Sequence, residues 1–416
     1  MASALSVLRY ADFRRLWLGQ TLSTIGDRLV AVALALFVVQ ETGSAADLAI
    51  VLAAYSAPFV LFVLIGGVWA DRLPRQRIMI ATDLARFALH ALLATLILTG
   101  KVEIWTVAVI EALVGTCEAF FRPAYTGLVP QTVPEEEIQH ANAITAGSSN
   151  AAEMVGPLVA TALVLGWGAG EAFAVDAATF LVSALLLSRV HARPRGQVRE
   201  RESLLRELAQ GYREVRSRTW VWATVAAFSV ALFAALAPFI VLGPLIAEHA
   251  WGSTAYYGVA VGVFGAGTVV GALIGLRVHP RRPLRAAMIA ALPWPIALLV
   301  YALGAPLPVV YVSLAAGGAC IALFDIWWAT ALAQRIPPEA LSRVSSYDWM
   351  GSLAMLPLGY IVAGVLGDLV GASTYLAVGA VVALTGLLLA LSSSQLRGLT
   401  TPEATLGDAA HPSPSS

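Results

Sequence analysis

Charge is scarce in this sequence. Of its 416 residues only 12% are Asp, Glu, Lys or Arg, about half the share of a soluble domain. The 26 cations balance 26 acids, which argues against nucleic acid as a partner. Cysteine is nearly absent. Cys117 and Cys320 both sit in apolar runs, which excludes a disulfide framework and a cysteine-based metal site. The histidines have no metal spacing, and His90 stands alone in an apolar run as a packed polar group. A phosphate-cradling G-x-x-x-x-G-K-[ST] is missing, so ATP hydrolysis is not expected. The opening "MASALSVLRYADFRRLW" has its charges after the first apolar patch and no small-residue cleavage site behind them, so no cleavable leader is expected. We therefore expect no enzyme, no cofactor and no metal.

What the chain has is apolar surface. It is 58% hydrophobic with a mean hydropathy of +0.77, more than one soluble core absorbs, so the expected solvent is the lipid bilayer. A hydrocarbon core of roughly 30 Å needs about 20 helical residues. Runs of that kind lie at 16–39, 48–70, 78–99, 103–121, 142–165, 171–189, 219–246, 255–276, 286–303, 307–326, 345–366 and 373–393. Twelve spans of an all-α membrane protein are predicted. Of the 26 Lys and Arg, 23 fall before the first span, in alternate loops, or in the tail, all on one face, while the opposite face holds only Lys101. The positive-inside bias then places both termini in the cytoplasm, with the protein in the inner membrane of the cell.

The chain reads as two halves. Residues 1–190 form a first six-helix bundle and 219–394 a second. Between them, 191–218 is a basic connection in which Leu204, Leu208, Tyr212 and Val215 follow helical spacing among arginines, the pattern of an interfacial amphipathic helix. Residues 395–416 are expected to be a disordered tail. At a shift of 203, "CEAFFRPAYTGLVPQTVPEEEI" (117–138) aligns with "CIALFDIWWATALAQRIPPEAL" (320–341), and at a shift of 204 "GALIGLRVHPRR" (271–282) echoes the stretch that starts at Gly67. Internal duplication of this kind builds a central site between two halves.

Ionisable groups at membrane depth are costly and mark function. Six acids lie within the first-half spans: Asp27, Asp83, Glu111, Glu118, Glu153 and Asp176, accompanied by only Arg28 and Arg86. Two cations cannot neutralise six acids, so the surplus must be protonated, reach Arg122, or meet an external cation. Gln20, Ser23, Thr24 and Asp27 form one helical stripe, and Asn142, Thr145, Ser149 and Glu153 another. Asp27, Glu111 and Glu153 are the candidates for proton coupling or substrate contact. Asp83 with Arg86, and Glu118 with Arg122, have the spacing of structural pairs. The second half offers aromatics instead: Trp222, Phe228, Phe233, Phe324 and Trp327, candidates to line a cavity for flat apolar or cationic molecules.

The loop after the second span, with Gly67, Asp71, Arg72, Arg75 and, after one extra residue, Arg77, resembles the G-x-x-x-D-R-x-x-R-[RK] signature of the major facilitator superfamily. "DFRRLWLGQTLSTIGD" (12–27), "FRPAYTGLVPQTVPEEEIQHANAI" (121–144), "VDAATFLVSALLL" (175–187) and "LLRELAQGYREVRSR" (204–218) resemble its bacterial drug, macrolide and siderophore exporters. Gly147, Gly156 and Pro157 resemble the exporters' antiporter motif, without its later glycine pair. Glu111 stands near the place of the family's helix-4 arginine, so coupling through that arginine does not carry over. The resemblance implies two pseudo-symmetric six-helix bundles, a cavity lined chiefly by helices 1, 4, 7 and 10, and a monomer. It also implies a cytoplasmic gate built from the loop motif and Arg122, in which Asp71 pairs with Arg122 or faces the start of helix 11. The expected activity is proton-coupled efflux of small amphipathic molecules by alternating access. Import, lipid flipping, or a non-transporting sensor or scaffold are the alternatives.

Overall fold

A computed structural model describes residues 4–191, 213, 215–275, 277–278, 280–336, 344 and 354–392. Most of the 191–218 connection, the start of the eleventh predicted span and the 395–416 tail lie outside the described residues, as does the side chain of Asp71.

The described residues are helical, with no strand among them. We number the long helices α1 (Ala11–Thr42), α2 (Ala45–Arg72), α3 (Arg75–Leu98), α4 (Ile104–Leu128), α5 (Ile138–Gly166) and α6 (Ala169–Leu187). The second half adds α7 (Thr219–Trp251), α8 (Ala255–Gly275), α9 (Pro283–Ala302), α10 (Leu307–Arg335), α11 (Leu356–Val370) and α12 (Ala372–Ser392). Eleven are long and apolar enough to cross a bilayer, and α11 is a shorter apolar helix over its described residues. Each begins within a few residues of an expected span where both ends are described. α10 runs on to Arg335 because the aromatic run 324–328 continues the helix rather than leaving it.

Small residues set the packing, as expected where lipid supplies no hydrophobic drive between helices. A Cβ on Gly66 of α2 would stand 2.2 Å from the Ala119 carbonyl oxygen of α4, and one on Gly115 of α4 would stand 2.0 Å from that of Tyr55 on α2. The second half repeats the device. Gly271 of α8 meets the Ala319 carbonyl of α10, and Gly318 of α10 meets that of Phe264 on α8. Both halves therefore use the same device, a glycine against a facing backbone carbonyl, with the acceptor about one turn away from the position the duplication would give. Replacing Gly115 by Val should lower the melting temperature of the detergent-purified protein sharply, since a carbonyl cannot step aside as a side-chain tip can.

Contacts group the chain into two compact units: 1–199 with 240–262 and 360–372, and 200–239 with 263–359 and 373–416. The first unit therefore holds one end of α7, α8 and α11 against α1, α2 and α5. There Gln40 Nε2 donates to Thr254 Oγ1 at 2.9 Å. A Cβ on Gly258 would sit 1.9 Å from Thr161 Oγ1, one on Gly262 2.4 Å from Leu158 Cδ2, and one on Gly364 2.6 Å from Ala49 Cβ. Three glycines let these helix ends close on one another.

At the opposite end of the first unit, the loop between α2 and α3 caps helix termini. Arg75 donates through Nε to the Ala70 carbonyl at 3.3 Å and through Nη1 to that of Gly127. Gln76 Nε2 donates to the Leu187 and Val190 carbonyls, both at 2.7 Å. The orphan carbonyls at the ends of α2, α4 and α6 thus find donors in two adjacent residues. Arg72 and Arg77 are exposed, and a Cβ on Gly67 would meet nothing within 4 Å. Arg75→Ala should weaken this end of the unit, raising trypsin cleavage near residues 72–77 in inside-out vesicles.

Candidate functional site

The buried charges of the first half form two networks. The first centres on Arg86 of α3, whose side chain is 1% exposed. Its Nη2 donates to Asp83 Oδ1 at 2.5 Å and its Nη1 to Glu118 Oε2 of α4 at 2.8 Å. Asp27 Oδ1 of α1 lies 4.0 Å from Nη1. Arg122 Nε donates to the other Glu118 oxygen at 2.6 Å, and Ser183 Oγ of α6 donates to Asp83 Oδ2 at 2.6 Å. The guanidinium lies over the rings of Phe121 and Phe180, 4.2 and 4.3 Å from their centroids. Both pairs expected from i, i+3 and i, i+4 spacing are formed, and they are parts of one network. Three carboxyls face two guanidiniums in it.

The second network supplies partners for His90, which is packed as expected but does not stand alone. His90 of α3 lies between two carboxyls: its Nδ1 is 2.5 Å from Asp176 Oδ2 of α6, and its Nε2 is 3.7 Å from Glu111 Oε1 of α4. All three residues are buried. Phe173 and Phe180 set their ring edges against the imidazole, with centroids 5.5 and 5.6 Å away. Phe180 thus packs against both the imidazole and the Arg86 guanidinium. Its partners come from other helices, so spacing along α3 could not reveal them.

Of the proton-coupling candidates, Glu111 belongs to this second network and Asp27 to the first. The Asp27 side chain is 43% exposed, so it is not sealed in its ion pair. Glu153 of α5 accepts a hydrogen bond from Arg28 Nη2 of α1 at 2.8 Å, both side chains being a little under half exposed. Gly156, one turn on, makes room for that arginine, since a Cβ there would fall 2.4 Å from Arg28 Cβ. A Cβ on Gly147 would meet nothing within 4 Å. Pro157 is buried, and its carbonyl accepts from Thr161 Oγ1 at 2.8 Å. The polar stripe of α1 divides: Gln20 donates to Ser183 Oγ at 2.9 Å and Ser23 is buried, while Asp27 alone keeps an open face.

The second unit contains a cavity of about 290 Å³ lined by Thr224, Phe228, Leu232 and Leu236 of α7, Phe264 of α8, Trp294 of α9, and Ile321, Phe324, Asp325 and Trp328 of α10. Phe228 and Phe324 stack with centroids 4.0 Å apart, and Trp328 lies parallel to Phe324 at 6.2 Å. Of the five aromatic candidates, Phe228 and Phe324 line it. Trp222 is 47% exposed and Phe233 stands outside the lining. Trp327 turns away, donating Nε1 to the Val278 carbonyl at 3.2 Å. The lining face of α10 runs through 324 and 328, one turn apart. Sequence reading also passed over Asp325, the one carboxyl in this wall. Leu232–Leu236 form a π-helical turn, and both of its end residues line the cavity. Pro238, which offers no N–H to the Ala234 carbonyl, follows it. Wide turns of this sort recur at functional sites.

These features agree with what the chain is similar to. Residues 16–351 match the model of the Major Facilitator Superfamily. The chain belongs to that superfamily. It is a multi-pass membrane protein of a transporter family with the major facilitator fold. Macrolide efflux protein A of Streptococcus pyogenes is 23% identical over 368 residues, covering 86% of this chain and 90% of that one. Multidrug efflux pump Tap of Mycolicibacterium fortuitum is 27% identical over 366 residues, covering 85% and 88%. Among solved structures, the nucleoside transporter NupG superposes with a TM-score of 0.72 at 12% identity, over 93% of this chain and all of that one. A bacterial homologue of ferroportin gives 0.69 at 15% identity, over 92% and 99%. At such identities the structures speak for the fold alone.

Proposed function

We propose that this superfamily member exports small amphipathic organic molecules by alternating access, driven by proton antiport across the inner membrane of the cell. The observation that carries this reading is the surplus of carboxyls over cations in the buried networks of the first half, together with the open face of Asp27. A surplus acid in a dry environment is stable only when neutral, so it is a place for a proton to bind and leave. The efflux names of two relatives, each covered along most of its length, support the direction. The aromatic cavity supports the substrate class. Stacked Phe228 and Phe324 take flat apolar groups, and Asp325 beside them takes a polar or cationic end. The positive-inside bias supports cytoplasmic termini, and we take the working unit to be a monomer of two six-helix halves joined by 191–218.

The test is transport into everted vesicles with an imposed pH gradient, using ethidium and erythromycin as probes. Wild type should accumulate at least one of them only while the gradient stands. Asp27→Asn should abolish gradient-driven accumulation and leave downhill exchange. Undiminished gradient-driven transport in both Asp27→Asn and Glu111→Gln would remove these acids from the mechanism. Phe324→Ala should raise the half-saturating probe concentration about tenfold, corresponding to about 1.4 kcal/mol of lost stacking and burial.

A further inference from the structure

We infer that Glu111, His90 and Asp176 form a proton-binding site, separate from the Arg86 network, in which Glu111 holds the exchangeable proton. Its role in transport rests on the proton-coupled reading above; its occupancy by a proton rests on geometry alone. An imidazole has two nitrogens, and both are donors only when it is charged. Here each nitrogen faces a carboxyl. The Asp176 side is a direct contact at 2.5 Å, while the Glu111 side is a 3.7 Å gap across which neither His90 Nε2 nor Glu111 Oε1 has a hydrogen-bond partner. Asp176 Oδ1 is likewise buried without one.

Charge counting then fixes the loaded form. His90 as imidazolium matches Asp176 as carboxylate, and the pair is tight. Glu111 is left over. Among the described residues no guanidinium is paired with it: Arg86, packed on Phe180, is committed to Asp83 and Glu118. The titratable groups facing the site from the surrounding helices are His90 on α3, Asp176 on α6 and Asp27 on α1. The last is an acid and adds no compensation. A bare carboxylate there would be buried and unmatched, which proteins avoid. One proton on Glu111 leaves the three groups neutral together.

The site is also wired to α1. Asp176 Oδ1 would lie 2.2 Å from a Cβ on Gly26, so only a glycine allows α1 to approach there. Gly26 precedes Asp27. Loading or emptying the His90 site therefore changes the charge that α1 packs on, one residue from the acid with the open face.

Infrared spectroscopy of the protein in lipid bilayers tests this without any substrate. At neutral pH the wild type should show a protonated-carboxyl stretching band that shifts when the protein carries isotope-labelled glutamate. Among the described residues the other buried glutamate, Glu118, is paired with both Arg86 and Arg122, so that band is assigned to Glu111. It should vanish completely in Glu111→Gln and persist in Asp27→Asn. A wild-type spectrum with no glutamate-dependent band overturns the proposal even if the variant does not fold. So does a band unchanged in Glu111→Gln. A band that behaves as expected, alongside vesicles that show no proton-driven transport, would remove the antiport reading and leave the site in place.

Discussion

Replacing Arg86 by Met should leave the protein unable to accumulate in the membrane. Arg86 is the shared counter-charge of Asp83 and Glu118 and the nearest cation to Asp27. Removing one partner from a buried ion pair costs about 3–5 kcal/mol, against a total stability of about 5–15 kcal/mol for a typical domain. Here one substitution strands the buried Asp83 outright and leaves Glu118 with Arg122 as its one remaining cation. Arg86→Lys should be intermediate, because an ammonium cannot span Asp83 and Glu118 as the planar fork does. The triple variant Arg86→Met, Asp83→Asn, Glu118→Gln should recover much of the lost expression, since it removes the stranded charges with their partner. Fluorescence-detected size-exclusion chromatography of a tagged chain measures all three. Wild-type yield and melting temperature in Arg86→Met would show that the network contributes nothing to stability.

The second large effect concerns the glycines that join α8 and α11 to the first half. Gly258→Leu should abolish transport while leaving a folded protein. The new side chain would collide with Thr161, whose Oγ1 already lies 1.9 Å from the ideal Cβ position. α8 must then stand away from α5, and the Gln40–Thr254 hydrogen bond nearby opens with it. A cysteine at Thr254, which is 3% exposed, in a background where Cys117 and Cys320 are replaced by Ala, reports this opening directly. Its labelling by a membrane-impermeant maleimide should rise at least tenfold in Gly258→Leu, equivalent to moving the open–closed balance by about 1.4 kcal/mol. Equal labelling in both backgrounds would show that this end of the unit is not a seal. Gly258→Ala, a smaller intrusion on a short side chain, should fall between.

Much of the fold was legible because apolar runs of bilayer length leave few alternatives. Eleven described spans fall where hydropathy put them, and the pairs Asp83–Arg86 and Glu118–Arg122 follow from helical spacing alone. What was not legible was everything that depends on which face of one helix meets another. His90 gained two carboxyl partners from α4 and α6, neither near it in sequence. Trp327 and Trp328 are adjacent, and only the packing of α10 decides that the second faces the cavity. Nothing in the sequence singles out Gln76, yet its amide caps α6. The π-helical turn of α7 left as its trace only Pro238, a residue that membrane helices often tolerate.

The glycine–carbonyl contacts carry a mechanical consequence. Where two helices touch backbone to backbone, no side chain remains between them to compress or swing aside, and Cα–H···O contacts draw them together. α2 with α4, and α8 with α10, then behave as stiff planks rather than as four separate rods. Bending during a transport cycle must be taken up elsewhere, and the wide turn at 232–236 ahead of Pro238 is the softest place in α7 to put a hinge.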